Sequence, residues 1–314
     1  MRSSGRVSPE AKRKSSITKS ASRTGHRATG AAAGLDAAVA EPVRAIAARL
    51  AGETQAVAVL FYGSNLRTRS LDGVLDFYVL TDGPPERGLW PTVSYREFPL
   101  EGQTLRAKIA TMRAATFHAA ASGDLVDTTI WTRFVQPAAL AWVRDAGARH
   151  AVVDAIAAAV VTAARFAAAL GPAEGTAEDY WRALFRQTYA AELRVERPGR
   201  EEQIIAHGAG RYQRLLPLAW DAAGIAFTRV SDRLIPSLPQ EDRVRRAWRR
   251  RRRLGKPLNI ARLVRAAFTF EGAAAYGAWK VERHTGVAVT LTPWRTRHPV
   301  LAAPAVLWQV WRQR

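Results

Sequence analysis

The chain contains no cysteine among its 314 residues. Disulfide bonds, a thiol nucleophile and thiolate metal ligands are therefore excluded. Acid is scarce as well: 27 Asp and Glu face 47 Lys and Arg, for a formal net charge of +20. The shortage is confined to the ends. Residues 1–34 hold eight basic residues and one acid, and residues 242–314 hold seventeen and three. The stretch between them is nearly neutral, at twenty-two against twenty-three. A balanced body with basic ends expects a polyanionic partner, either acidic lipid or nucleic acid. The N-terminus lacks the apolar core of an export signal. The most apolar stretch, residues 151–170, is interrupted by Asp154 and Arg165 and reads as too short to cross a bilayer. The expectation is a protein neither exported nor embedded in a membrane.

What is present is enough apolar residue, 48% of the chain, for one large or two modest cores. Residues 1–34, rich in Ser, Arg and Gly, read as a disordered basic arm. Residues 35–51 carry apolar side chains at helical spacing, and Pro42 marks a kink or a start. Residues 93–98 and 105–112 read as strands, and 125–143 as a helix broken before Pro137. Residues 151–170, 176–196 and 204–223 read as helices, with Thr176 as an N-cap. Pro236 and Pro239 mark a loop. Residues 259–279 read as helical and 287–291 as strand-like. The run RVRRAWRRRRR (243–253) is basic on nearly every face if helical, which suits phosphate oxygens of lipid or nucleic acid. The terminal VLWQVWRQR sets Trp308 and Trp311 beside Arg312 and Arg314. That pairing suits a membrane interface, or a terminal helix docked on its own domain.

The stretch 56–82, AVAVLFYGSNLRTRSLDGVLDFYVLTD, organises the rest. An apolar run ends at Gly63-Ser64, a polar basic loop follows, and a second apolar run carries Asp76 near its head. This is a layout for handling phosphates. Gly63 lets the backbone approach a triphosphate, and a helix after it would offer free N–H groups. Asp76 would hold a divalent cation against the same phosphates. The structural alternative is a plain hairpin or βα turn. Lys108, among apolar neighbours, reads either as an edge-strand lysine facing solvent or as a cation facing the triphosphate. Arg133, embedded in an apolar segment, calls for an anionic partner, Asp127 or a phosphate. Glu192, Arg194 and Glu196 read by default as a solvated charged face.

The Gly63-Ser64 turn with Asp76 resembles the nucleotidyltransferase superfamily. Many members carry a second carboxylate two residues further along the same strand, where this chain has Tyr78. Asp72, Asp82, Asp124 and Asp127 are the candidates for that second acid. Within the superfamily the chain is similar to the mitochondrial-type phosphatidate cytidylyltransferases and their bacterial relatives. Tyr62-Gly63-Ser64 matches that branch's Tyr-Gly-Ser. Leu75-Asp76-Phe77, followed by an apolar stretch and Asp82, matches its carboxylate strand, on which a single acid is normal. LRAKIATM (105–112) takes the place of its lysine-bearing strand. WTRFVQPAAL (131–140) resembles its arginine and lysine-proline element, with Gln136 in place of the lysine. YGAWKVERH (276–284) and LTPWRTRHP (291–299) resemble its C-terminal signature. The likeness runs in order from about residue 56 to 311.

The resemblance implies an α/β (α+β) fold. A nucleotidyltransferase-like mixed sheet with helices is expected over 35–145, a mostly helical domain over 146–241, and a basic amphipathic tail that touches a membrane over 242–314. It implies an enzyme that moves CMP from CTP to phosphatidate, giving CDP-diacylglycerol and pyrophosphate with the help of Mg²⁺. The implied catalytic residues are Asp76, Lys108 and Arg133. Gly63, Ser64 and Lys108 would hold CTP, Arg194 and Lys280 the phosphatidate head group, and Asp76 with Asp82 the metal. The implied location is peripheral, on the cytoplasmic face of the inner membrane. Two alternatives stand beside this: nucleotidyl transfer to RNA or another acceptor, and a non-catalytic membrane- or nucleic-acid-binding protein with a degenerate transferase fold.

Overall fold

A computed structural model of the chain describes residues 34–100, 102–192 and 199–312. The basic arm over 1–33 lies outside the described residues, as does Arg194. Helix α1 (Glu41–Thr54) carries Pro42 in its first turn, where a missing N–H leaves no helical bond unmade. Strand β1 (Ala56–Tyr62), short helix α2 (Ser64–Thr68) and strand β2 (Val74–Thr81) follow. Strands β3 (Thr92–Leu100) and β4 (Gln103–Arg113) form a hairpin. Helices α3 (Ala114–Ala121) and α4 (Thr129–Phe134) lead to strand β5 (Ala138–Val143). The sheet is mixed, in the order β3-β4-β2-β1-β5, with β2 and β4 parallel and the other neighbours antiparallel. Residues 138–143 are thus an edge strand and not the end of a helix. The alanines of AALAWV blur the period of two that marks a strand.

Alternation along the strands gives each sheet face its own cover. Leu75, Phe77 and Val79 of β2 and Ala107 and Ile109 of β4 share a core with Val43, Ile46 and Leu50 of α1. Tyr78, Leu80, Ala110 and Met112 belong to a second core, with α3, α4 and helix α5 (Ala146–Leu170). By the same period of two, Asp76 and Lys108 lie on this second face.

Helix α5 is long and apolar enough to cross a membrane by length and composition. The expectation that it is too short is therefore corrected; burial is what explains its apolarity. Ala159, Ala163, Ala164 and Ala167 are fully buried, and Phe166 stacks on Trp131 with ring centres 5.2 Å apart. After strand β6 (Gly175–Thr176), helices α6 (Ala177–Ala191), α7 (Arg200–Ala206) and α8 (Ala209–Ala223) extend the bundle. Thr176 and Asp179 cap the start of α6 reciprocally, as expected of Thr176. One apolar core runs from the sheet face into these helices. Where prolines pointed to a loop, β7 (Ala226–Val230) and β8 (Arg233–Ser237) form a hairpin, with β6 pairing alongside.

The arginine run lies in helix α9 (Glu241–Thr269). Val244, Trp248 and Arg251 are buried at helical spacing, and Arg251 donates to the carbonyls of Gly123 and Leu125. The run is therefore not basic all round: apolar Val244 and Trp248 share its inner side with Arg251, and the remaining arginines stand on its outer side. The chain then turns a corner into helix α10 (Ala273–Thr285), and the Tyr95 N–H of β3 donates to the Glu271 carbonyl at 2.8 Å. Gly272 sits in this corner with a φ of +79°, and a Cβ there would run into the Tyr95 carbonyl. Residues 287–291 form no strand. Helices α11 (Pro293–Arg297) and α12 (Pro299–Arg312) follow. Helix α12 buries Ala302 and leaves Trp308 57% exposed; the Trp311 side chain and Arg314 lie outside what is described.

Candidate functional site

Pairing of β1 with β2 sets Tyr62 opposite Asp76, and the parallel register of β2 and β4 sets Asp76 beside Lys108. Gly63 follows with a φ of +92°, and a Cβ there would sit 2.8 Å from Asp76 Oδ2. Glycine is what lets the turn close over the carboxylate. Asp76 therefore faces the Gly63-Ser64 turn, and Ser64 is exposed at the head of α2. Asn65 is buried behind it, and its amide donates to the carbonyls of Ser70 at 3.0 Å and Asp72 at 2.7 Å. These two bonds pin the loop that joins the turn to β2.

Burial pushes the Asp76 carboxyl above the ordinary carboxylate range, and Lys108, Arg133 and Arg67, in that order, pull it back. Burial likewise lowers Lys108, which Asp76 opposes. Lys108 is on a strand with neighbours on both sides, so the edge-lysine reading does not hold. Arg133, on α4, lies 5.4 and 5.6 Å from the ring centres of Tyr62 and Tyr78 and donates to the Tyr78 hydroxyl at 2.9 Å. The two rings hold the guanidinium in place while it keeps its charge.

Each candidate for a second acid has a partner of its own. One carboxylate oxygen of Asp127 accepts from the N–H groups of Thr129 and Ile130 and so caps α4; the other pairs with Arg262 of α9. Asp127 is therefore the partner of Arg262 and not of Arg133. Asp82 is not a neighbour of Asp76. Six residues along β2, at roughly 3.3 Å per residue, put it about 20 Å away. It is exposed there and pairs with Arg144. The two aspartates share a face of the strand but occupy opposite ends. Asp72 accepts from the Ser70 hydroxyl at 3.0 Å, and Asp124 acts on Arg251. Among the described residues no group of three or more His, Asp or Glu side chains is placed to hold a metal ion.

A cleft of about 730 Å³ opens beside Lys108. Tyr62, Tyr78, Lys108 and Arg133 line it from the sheet side, and Arg262, Arg265 and Lys280 from α9 and α10. Among the described residues, five cations and one acid, Glu192, line it; Arg262 also pairs with Asp127 behind the wall, and Glu192 accepts from the Thr128 hydroxyl at 2.5 Å. Arg262 lies 4.4 Å over the Trp90 ring, and Arg265 donates to the Leu89 carbonyl. Lys280 lies 5.4 Å from the Tyr276 ring centre, and that ring is 5.2 Å from Tyr95. The C-terminal helices thus fold back over the sheet and complete the site. Lys280 lines the same cleft as Lys108 and Arg133; Arg194 follows Glu192 closely but lies outside the described residues. Sequence reasoning misses Arg262 and Arg265. The available signal was a pair of arginines three apart in the otherwise apolar NIARLVRAAF.

In comparison with known proteins, the chain matches no family model and no curated protein.

Proposed function

We propose that the chain transfers a cytidylyl group from CTP to phosphatidate. The observation that carries this reading is a cleft with five basic side chains, two of whose lining residues, Tyr62 and Lys108, flank in the sheet an aspartate that lies against a glycine turn. A triphosphate and a phosphomonoester bring the negative charge that such a cleft neutralises. Lys108 and Arg133 would meet the triphosphate. Arg262, Arg265 and Lys280 would meet the acceptor phosphate. An oxygen of that phosphate attacks the α-phosphorus, and the bond to the bridging oxygen of the departing pyrophosphate breaks. The acceptor is already anionic, so no strong base is required. Positioning and charge neutralisation are the protein's contribution.

The residues fit one magnesium ion brought in on the nucleotide, because such ions take most of their ligands from phosphates and water and one or two from carboxylates. Asp76 would be the protein ligand, and the ion would supply further neutralisation of the triphosphate. No group of three or more His, Asp or Glu side chains gathers at Asp76 among the described residues, which favours one ion over a two-ion arrangement. That same observation favours one other reading, a non-catalytic phosphate-binding protein.

CTP labelled on its α-phosphate, offered with phosphatidate or with RNA, tests the proposal. Label is expected in the chloroform-soluble product with phosphatidate. Label in RNA would overturn the choice of acceptor. Nucleotide binding without transfer to either would favour the binding protein.

A further inference from the structure

Helix α9 carries two faces with different chemistry. Its inner face sends Arg262 and Arg265 into the cleft. Its outer face holds a stripe at the helical spacing of three and four residues: Arg249, Arg253, Lys256, Ile260 and Val264, all exposed. The stripe changes character along its length. Its first half is basic. Its second half is aliphatic, with Ile260 50%, Leu263 58% and Val264 56% exposed to solvent. Exposed aliphatic groups at i, i+3 and i+4 lie side by side on a helix and form one apolar patch, the kind of surface that marks an interaction site. Leu263 also lines the cleft, so the aliphatic patch is part of its mouth.

We propose that this outer face of α9 docks on an anionic bilayer. The arginine half would lie on the headgroups, and Ile260, Leu263 and Val264 would enter the boundary with the acyl chains. Charge and apolarity in sequence along one helix face match the two layers of a membrane surface. Nucleic acid would use the arginines and leave the aliphatic half in water. A second copy would bring a like-charged arginine band against the first. Docking in this manner turns the cleft mouth toward the bilayer, where a lipid phosphate is carried. The inference rests on the reading of the acceptor as a lipid, but its test is separate.

Flotation of the full chain with vesicles of phosphatidylglycerol and phosphatidylcholine, without CTP or phosphatidate, measures docking. The chain is expected to float with these vesicles and not with phosphatidylcholine alone. Ile260→Asn with Val264→Asn, and separately Arg249→Glu with Arg253→Glu, should each lower vesicle affinity by about tenfold or more. All four side chains are exposed and outside the cleft lining, so label transfer to a short-chain, water-soluble phosphatidate should stay within about twofold of the parent. Flotation of either double variant like the parent would overturn the docking face. So would retention on RNA in place of vesicles, or a dimer that Ile260→Asn with Val264→Asn dissociates. Vesicle binding lost in the variants, with no transfer by the parent chain, would uphold the docking face and sink the transferase reading.

Discussion

Asp76 keeps a carboxylate where burial works against its charge, and three cations supply the compensation. Because its folded pKa is raised, the folded state holds the proton more tightly than the unfolded one. The sign follows: this group's contribution to stability is present at acid pH and is lost as pH rises through the raised value. Asp76→Asn should therefore melt higher than the parent at mildly alkaline pH, with the gap closing toward the ordinary carboxylate range; scanning calorimetry at several pH values checks this. A variant that melts below the parent at mildly alkaline pH, with that deficit shrinking on acidification, would mean that Asp76 is stabilised as an anion. Lys108 has the complementary role. Lys108→Ala should lower kcat/KM for CTP by about a hundredfold, the scale of losing one preorganised charge at a phosphoryl centre. Lys108→Arg should restore part of it, which steady-state kinetics would show. Asn65 was not legible as important from the sequence. A lone asparagine after Gly-Ser looks like loop filler, and only the two carbonyls it meets reveal that it sets the distance from turn to β2.

At the scale of elements, the outcome follows how local each signal is. Strands β1, β2 and β4 were legible because their apolar runs are short and bounded, and the glycine-serine turn sits between the first two. Strand β5 was not, since AALAWV has too few branched residues to separate strand from helix. The β7–β8 hairpin was hidden behind Pro236, which belongs to β8. In α9 the run of arginines masked an inward stripe of Val244, Trp248 and Arg251. The same helix is tied to the core by a buried pair, Arg262 with Asp127, whose side chains are 15% and 2% exposed. Removing one partner leaves a charge stranded. Arg262→Met should cost about 3 kcal/mol in urea unfolding. In combination with Asp127→Asn, which keeps a cap for α4, the loss should be smaller than the sum of the two single changes. Strict additivity would show that the pair does not hold α9 in place.

For the whole molecule, the deciding feature is the return of the C-terminal helices over the sheet. No local pattern announces that contact. Lys280 was reachable only through the family likeness, and Arg262 and Arg265 were reachable by neither route. The same return explains why Asp82 fails as a metal partner: the site is built at the Gly63 end of β2 from distant parts of the chain, while Asp82 closes the other end. The mixed sheet followed by helices was legible as an α/β fold. The continuous core from sheet to bundle was not, because alanine-rich α5 carries no sign of what it packs against. With cleft, turn and aspartate taken as a transferase site, the decisive comparison is the parent chain against Asp76→Asn, given α-labelled CTP, magnesium and phosphatidate, read as chloroform-soluble label. The parent should produce CDP-diacylglycerol, and the variant should fall by about a thousandfold while still folding. Equal label from both, or none from the parent, would contradict the assignment of Asp76 as the centre of the chemistry.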